Sequence, residues 1–346
     1  TSAGYAITTS GSNILIGHGA GNAMSAGQTT TDGTVAIGNA ALTALTSGAG
    51  NTAVGYQSGL KAVAGDKNTA LGYQSLVHLD HVNAYGNTAI GNSSMMSVAD
   101  TDNNEAANNT AVGIDSLKVI TDGQRNVVVG ASAGDSVTTS SDHVLIGKGS
   151  GATISTGADG TVAIGSSALT ACTTGAGNTA VGYTAMNDVV DGVNNTAIGY
   201  NAFGGALDAT ADGSSHNIFI GYDTGSGNWT TATSGTNVGI GNYVMDAIMT
   251  GADSNTAIGH SALGAVTNGD GNVAIGTDAG NDITTGHNNV LIGLNAGDKS
   301  TNVGYAVVIG DNAAGAVLTS DADGTVAIGA SALAVLTSGD ENVAVG

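Results

Sequence analysis

The sequence predicts an all-β chain folded as a parallel β-solenoid with about 17–18 residues in each coil. The main observation is a short phrase, such as "TVAIG" or "NTAVG", that ends in glycine and occurs nineteen times between Gly17 and Gly346. Ten of the eighteen intervals between these glycines are 17 residues long. A repeat this short cannot bury an apolar face alone, so successive copies must stack on one another.

The composition supports the same fold class. The 346 residues include 57 Gly and no Pro, with 41% hydrophobic and only 3% aromatic residues. The chain is too apolar for a disordered protein, and it lacks the aromatic residues of a conventional core. The absence of proline suits strands that must donate hydrogen bonds to neighbours on both sides. We therefore expect a core of small and aliphatic side chains.

Longer phrases also return along the chain. The stretch from Asp32 to Tyr56 recurs almost unchanged from Asp159 to Tyr183, and a shorter copy begins at Asp323. Such returns fit lengthening by duplication. We interpret residues 1–346 as a single continuous repeat array, and we expect the array to be a segment of a longer fibre.

The last residues of each phrase predict a strand that is apolar on both faces. The residue directly before the glycine is Ile, Val or Leu in all nineteen copies, and we expect this row to form the core ladder. The residue two before it is Ala in twelve copies. Because neighbouring strand residues point to opposite faces, one row must be covered from outside the coil. We assign this cover to partner chains, and we place Ala53 and Ala180 at the interface.

The rest of each coil predicts a second short strand and a turn. A small residue follows the glycine by three positions, and mostly apolar residues follow it by seven. The latter are Leu45, Leu79, Val98, Ile120, Val137, Ile154, Cys172, Val189, Ile248, Val266, Ile283, Val317 and Leu336. Asn stands four before the glycine in fourteen copies, where stacked side chains can form an amide ladder.

The strand phrases resemble a known family of repeats. "TVAIG" and "NTAIG" are similar to the head repeats of YadA-like trimeric autotransporter adhesins. The longer "NTAVGYQSGLKAVAGDKNTALGYQSL" resembles repeat arrays in bacteriophage tail-fibre and spike proteins. The resemblance implies a left-handed parallel β-roll, a homotrimeric fibre, and a role as stalk, spacer or adhesive head. The matching residues, among them Ile37, Gly38, Val54 and Gly55, are structural ones.

The predicted function is therefore a structural fibre or spacer of a bacteriophage tail or virion, which contributes to host-surface attachment and performs no catalysis. A bacterial extracellular adhesin head or filament is the alternative. An ice-binding solenoid is a further alternative, because Thr often stands three before the glycine. These threonines are Thr52, Thr69, Thr88, Thr110, Thr179 and Thr196. They share a face with the Ile/Val row, which we expect to be buried.

Aromatic residues are the candidate surface contacts. Tyr follows the glycine directly at five positions, and the sole Trp lies in the least regular stretch of the chain. The candidates for contact with a host-surface polysaccharide or receptor are Tyr56, Tyr73, Tyr183, Tyr200, Tyr222 and Trp229. Packing between chains is the alternative role for the tyrosines.

Other partners and chemistries find little support. The net charge of −21 disfavours nucleic acid and anionic membranes. The acidic turns at Asp32, Asp159, Asp270 and Asp323 are expected to be solvated, with weak cation binding as the alternative, and no cofactor is expected. Cys172 should be a small buried hydrophobe. No nucleophile or phosphate-loop motif is present, so no residue is assigned a catalytic role.

Overall fold

The computed structural model describes residues 3, 11–24, 31–78, 81–97, 104–205, 213–230 and 232–346; the predictions for Leu79 and Val98 fall outside them. The predicted fold class is confirmed, because the chain is all-β and forms a parallel β-solenoid. It divides into two compact units, Thr1–Ala176 and Gly177–Gly346.

The first unit contains nine strands of three residues. They are β1 (Ile14–Ile16), β2 (Val35–Ile37), β3 (Thr52–Val54), β4 (Thr69–Leu71), β5 (Thr88–Ile90), β6 (Thr110–Val112), β7 (Val127–Val129), β8 (Val144–Ile146) and β9 (Val162–Ile164). Each strand pairs in parallel with the next one along the chain, so that equivalent residues of the repeat align, as Ala36 does with Ala53.

The second unit contains ten strands with the same arrangement. They are β10 (Thr179–Val181), β11 (Thr196–Ile198), β12 (Ile218–Ile220), β13 (Val238–Ile240), β14 (Thr256–Ile258), β15 (Val273–Ile275), β16 (Val290–Ile292), β17 (Val307–Ile309), β18 (Val326–Ile328) and β19 (Val343–Val345). One 3₁₀ turn, Ser320–Ala322, is the only helical element among the described residues. The pairing again aligns repeat positions, as for Val290 and Val307.

Each coil contains one strand, not the two that the sequence predicts. Elsewhere in the described coils the backbone forms isolated bridges, as between Ser47 and Ala64 and between Ala107 and Gln124. The second and fourth residues after the glycine often have positive φ, such as 57° at Ala40 and 47° at Leu42. Left-handed residues at this spacing turn the backbone and prevent an extended strand.

The strand faces are reversed relative to the sequence prediction. Ala53 and Ala180, the middle residues of their strands, are fully buried inside their own coils. The residue before the glycine points outward, and Leu71 and Ile146 are 46% and 36% exposed. The predicted core ladder and the Ala53/Ala180 partner interface are therefore wrong. The interior is narrow, and small strand residues leave space there for a larger side chain from the turn.

That larger side chain comes from the fourth position after the glycine. Ten coils combine a small middle strand residue with Leu, Met or Phe at this position, as in Ala163 with Leu169. Six coils reverse the sizes, as in Leu145 with Gly151, where a Cβ on the glycine would lie 2.8 Å from Leu145 Cδ2. These sixteen coils thus keep a nearly constant interior volume, as close packing requires. In two other coils both positions are small, and a leucine of an adjacent coil lies against the glycine. These pairs are Ala53 with Gly59 and Ala274 with Gly280.

The apolar row seven residues after the glycine is largely confirmed. The buried members are Leu45, Ile120, Val137, Ile154, Cys172, Val189, Val266 and Ile283. Leu336 is half-buried. Ile248 and Val317 are exposed, and their neighbours Met249 and Leu318 are buried instead. These two coils are longer than 17 residues, so the inward position moves along the chain by one residue.

The predicted asparagine ladder is confirmed inside each unit. Asn87 Nδ2 donates to Asn68 Oδ1 at 3.1 Å and to the Ala106 carbonyl at 2.7 Å. Asn87 Oδ1 in turn accepts the Asn109 backbone N–H at 3.0 Å. The ladder runs from Asn51 to Asn126 in the first unit and includes seven residues in the second: Asn178, Asn195, Asn217, Asn237, Asn255, Asn272 and Asn289. It satisfies buried backbone groups at one corner of these coils.

The glycine that ends each strand is required by close stacking. Gly113 has φ of 137°, and a Cβ there would lie 2.5 Å from the Gly130 carbonyl oxygen of the next coil. Neither the backbone conformation nor the space allows a side chain. The glycine row therefore sets the contact distance between coils at this corner.

Candidate functional site

The outward strand face is the first candidate surface. In each unit it carries two parallel rows of side chains. One row is the residue directly before the glycine, and the other is the residue three before the glycine. Most of these residues are Ile, Val, Leu or Thr, and they are half-buried or exposed. The parallel register places them in straight rows, as Thr52 aligns with Thr69 and Val54 with Leu71. A continuous apolar face of this kind usually marks an interaction surface.

Four threonines interrupt the aliphatic character of this face in the first unit. Thr52, Thr69, Thr88 and Thr110 occupy the same position in four successive coils and align in the parallel register. None of their hydroxyl groups makes a hydrogen bond to the described part of the chain. The prediction that these threonines share the Ile/Val face is confirmed, but the face points outward, so the expected burial inside the coil is wrong.

The predicted tyrosines form two stacked groups on the surface. In the first unit, the Tyr56 and Tyr73 ring centroids lie 5.3 Å apart with an interplanar angle of 11°. In the second unit, Tyr183, Tyr200 and Tyr222 form a row with centroid distances of 5.3 and 5.2 Å. We call these five residues the tyrosine ladder. Their side chains are 42–52% exposed.

Polar side chains accompany the ladder at the next residue of each coil. Gln74 Nε2 donates to Gln57 Oε1 at 2.8 Å. In the second unit, Asn201 Nδ2 donates to Asp223 Oδ1 at 2.8 Å. The negative charge of Asp223 raises the pKa of the Tyr222 phenol. The ladder therefore combines aromatic rings with a parallel polar row.

Trp229 is not a surface contact, and its prediction as one is corrected. Its side chain is fully buried, and its ring centroid lies 4.6 Å from that of Phe203 and 5.7 Å from that of Phe219. Gly239 provides room in the adjacent coil, since a Cβ there would lie 2.7 Å from Phe219 Cδ1. The irregular stretch is thus a local aromatic core. The pairing of Phe219 with Gly239 at equivalent strand positions is the sequence signal for it.

The four acidic turns have structural partners. Each carboxylate accepts the backbone N–H of a preceding coil at 2.7–2.8 Å. The pairs, donor first, are Gly11 with Asp32, Ser141 with Asp159, Asp253 with Asp270, and Gly304 with Asp323. Among the described residues, no group of three or more His, Cys, Asp or Glu side chains could hold a metal ion. These carboxylates therefore link coils at the turns, and weak cation binding stays a prediction.

Two other titratable residues lie inside the first unit. Cys172 is buried, as predicted, and its Sγ donates to the Gly175 carbonyl at 3.4 Å. His143 replaces Asn in the amide ladder, and neither of its buried ring nitrogens makes a hydrogen bond of normal geometry. Burial lowers the pKa of His143 to about 4, although the charges of Asp159 and Asp142 act in the opposite direction.

Comparisons with known proteins provide no family assignment. A scan against protein-family models finds no match, and a search of curated proteins finds none either. In the described ranges, no helix has the length and hydropathy needed to span a bilayer. The argument about function must therefore rest on the outward strand face and the tyrosine ladder.

Proposed function

We propose that the chain is a structural fibre or spacer module that self-associates through its outward strand face. One observation carries this proposal. The residue directly before the glycine adds nothing to the interior of its own coil, yet it is aliphatic in all nineteen copies. The residue directly after the glycine varies freely, and includes Asn39, Lys148 and Asp311. A row facing only water would vary in the same way, so the aliphatic row is covered by another copy of the chain.

The resemblance to YadA-like heads and bacteriophage tail-fibre arrays supports three copies and a left-handed roll. It also supports a location in a virion tail or on a cell surface, with an adhesin head or filament as the alternative to a phage fibre. A solenoid can be lengthened coil by coil without rearranging its core, which suits a spacer. The tyrosine ladder is the proposed contact for a host-surface polysaccharide or receptor.

The test replaces two outward aliphatic residues of the second unit. The double variant Ile258→Lys/Ile275→Lys places charges on the proposed interface but leaves the coil interior unchanged. We expect the wild-type chain to have about three times its 33.1 kDa mass by light scattering after size exclusion, and the variant to have the monomer mass. Far-ultraviolet circular dichroism checks that the β structure is retained.

The matched control is Leu294→Lys. Leu294 is also an exposed aliphatic residue of the second unit, but it lies beyond the strand, directly after its glycine. This variant should keep the assembled mass. A wild-type chain that stays monomeric at all concentrations, or a double variant that keeps the assembled mass, would contradict self-association through this face.

A second candidate function, ice binding, is favoured by the outward threonines. Four aligned hydroxyl groups without protein partners, beside a parallel aliphatic row, form a flat and regular array. An ice-binding face must stay open to water, whereas an association face must be covered. Thermal hysteresis that is lost in Thr69→Lys but kept in Thr121→Lys, whose hydroxyl donates to the Thr138 carbonyl in another part of the coil, would support this candidate. An assembled chain without thermal hysteresis would eliminate it.

A further inference from the structure

The tyrosine ladder places reactive phenol rings next to one another. Exposure to solvent alone would make them accessible but would not pair them. Tyr56 and Tyr73 are nearly parallel, and the planes in the row of Tyr183, Tyr200 and Tyr222 differ by only 19° and 13°. All five phenols are accessible to solvent. Within each unit, an oxidant in solution can therefore reach two adjacent phenols whose rings are already in contact.

The backbone holds these rings in place. Two backbone hydrogen bonds from the following coil flank Tyr56. Gly72 N–H donates to the Val54 carbonyl at 2.9 Å, and Gln74 N–H donates to the Tyr56 carbonyl at 2.9 Å. The equivalent bond from Asn201 N–H to the Tyr183 carbonyl is also 2.9 Å. Neighbouring phenols are thus positioned before any reaction, which removes most of the entropic cost of bringing two rings together.

We propose that the tyrosine ladder is an oxidative modification site at which successive coils become joined by dityrosine bonds. The co-substrate class is a peroxide, with which a haem peroxidase removes one electron from each of two phenols in turn. Each phenol loses one electron and one proton, which leaves two neutral phenoxyl radicals. The radicals form one carbon–carbon bond between ortho positions, and the two ortho hydrogens then move to the phenolic oxygens. One hydrogen peroxide accepts the two electrons and two protons and becomes two water molecules.

Asp223 supports this chemistry at one end of the ladder. Its carboxylate carries negative charge near the Tyr222 phenol, and this charge raises the pKa of that phenol. Loss of an electron makes a phenol strongly acidic, and a nearby carboxylate can accept the released proton. The site therefore contains both the paired rings and a proton acceptor.

The chain also contains matched tyrosines outside the ladder. Tyr85 and Tyr305 are 45% and 60% exposed, but neither has a tyrosine ring stacked on it among the described residues. Tyr305 contacts the His287 ring at 83° instead. If ring pairing directs the reaction, these residues should stay unlinked, whereas a reaction directed by exposure alone would modify them first.

The experiment treats the full chain at low concentration with a haem peroxidase and hydrogen peroxide. We expect dityrosine fluorescence, a mass loss of two hydrogen atoms per link, and linked peptides that join Tyr56 to Tyr73 and Tyr200 to a neighbour. The rate should not depend on protein concentration, because the links form within one chain. Tyr73→Phe keeps the stacked ring but removes the phenol, so it should abolish the first link and leave the second.

Two outcomes would overturn the proposal: links at Tyr85 or Tyr305 at a similar yield, or a yield in the first unit that Tyr73→Phe does not change. The proposal goes beyond the fibre function and does not depend on it. Light scattering of the same samples reports self-association separately, so failure of one proposal is distinguishable from failure of the other.

Discussion

Exchanging the sizes of two side chains in one coil tests how the interior is filled. Leu145 is fully buried, and its truncation to Ala should lower the free energy of unfolding by about 2–5 kcal/mol. Gly151→Leu adds a side chain whose Cβ would lie 2.8 Å from Leu145 Cδ2, and overpacking of this kind costs about 1–3 kcal/mol. Each single variant should therefore be destabilised.

The double variant Leu145→Ala/Gly151→Leu should recover much of that loss. It reproduces the pattern of the coil with buried Ala111 and Leu117, in which Ile120 occupies the position of Ile154. The backbone accepts the change, because φ is 56° at Gly151 and 53° at Leu169. We expect a favourable coupling free energy of about 2 kcal/mol between the two sites, in the upper part of the range for residues in direct contact.

Urea unfolding followed by circular dichroism measures the four members of this cycle. The matched control is Leu145→Ala/Gly149→Leu, because a Cβ on Gly149 meets no atom within 4 Å and so cannot fill the same space. This control should show no recovery. Additive losses in the Leu145/Gly151 double variant, with no coupling, would refute the reasoning that the two positions share one volume.

Two further predictions concern His143 and the glycine row. The folded-state pKa of His143, about 4, lies below its ordinary value of 6.5, so the unfolded chain binds the proton first as the pH falls. The contribution of neutral His143 to the free energy of unfolding is complete above pH 6.5. About 3 kcal/mol of that free energy is lost as the pH falls from 6.5 to about 4. Unfolding across this range should show a weaker pH dependence in His143→Asn, and an unchanged slope would contradict the assignment. Gly113→Ala should reduce the melting temperature far more than Gly149→Ala. The Gly149 variant should lose only about 1–2 kcal/mol, which a left-handed backbone costs a residue with a side chain. Equal losses in the two variants would show that close stacking between coils is not the reason for glycine at position 113.

The fold class could be predicted because the repeat determines most of it. A glycine at a regular interval fixes the coil length, and Asn87 and its equivalents occupy one corner in most coils. Both features act through the backbone, so they can be recognised without knowledge of which side chains meet. The same reasoning does not extend to the second predicted strand, because left-handed residues such as Leu42 cannot be identified from a pattern of apolar positions.

The direction of the strand faces could not be predicted from alternation alone. Alternation shows that Ala53 and Val54 point to opposite sides, but it does not show which side is inside. The deciding information is the size exchange between the strand and the turn, as in Leu145 with Gly151, which requires both residues to share one interior. Trp229 was misplaced for a related reason: a lone aromatic in an irregular stretch suggests a surface, whereas the nearby Phe203 and Phe219 provide a buried environment for it.

The interior and the outer face are subject to different constraints. Inside, most coils carry either a large strand residue or a large turn residue, because the two side chains share one interior. Outside, the row before the glycine shows no such exchange, and no other residue of the coil compensates for a change there. We propose that this constraint, which applies to one row at every coil, comes from a surface that is equally regular. Another copy of the same solenoid has that regularity, since its coils repeat at the same strand spacing.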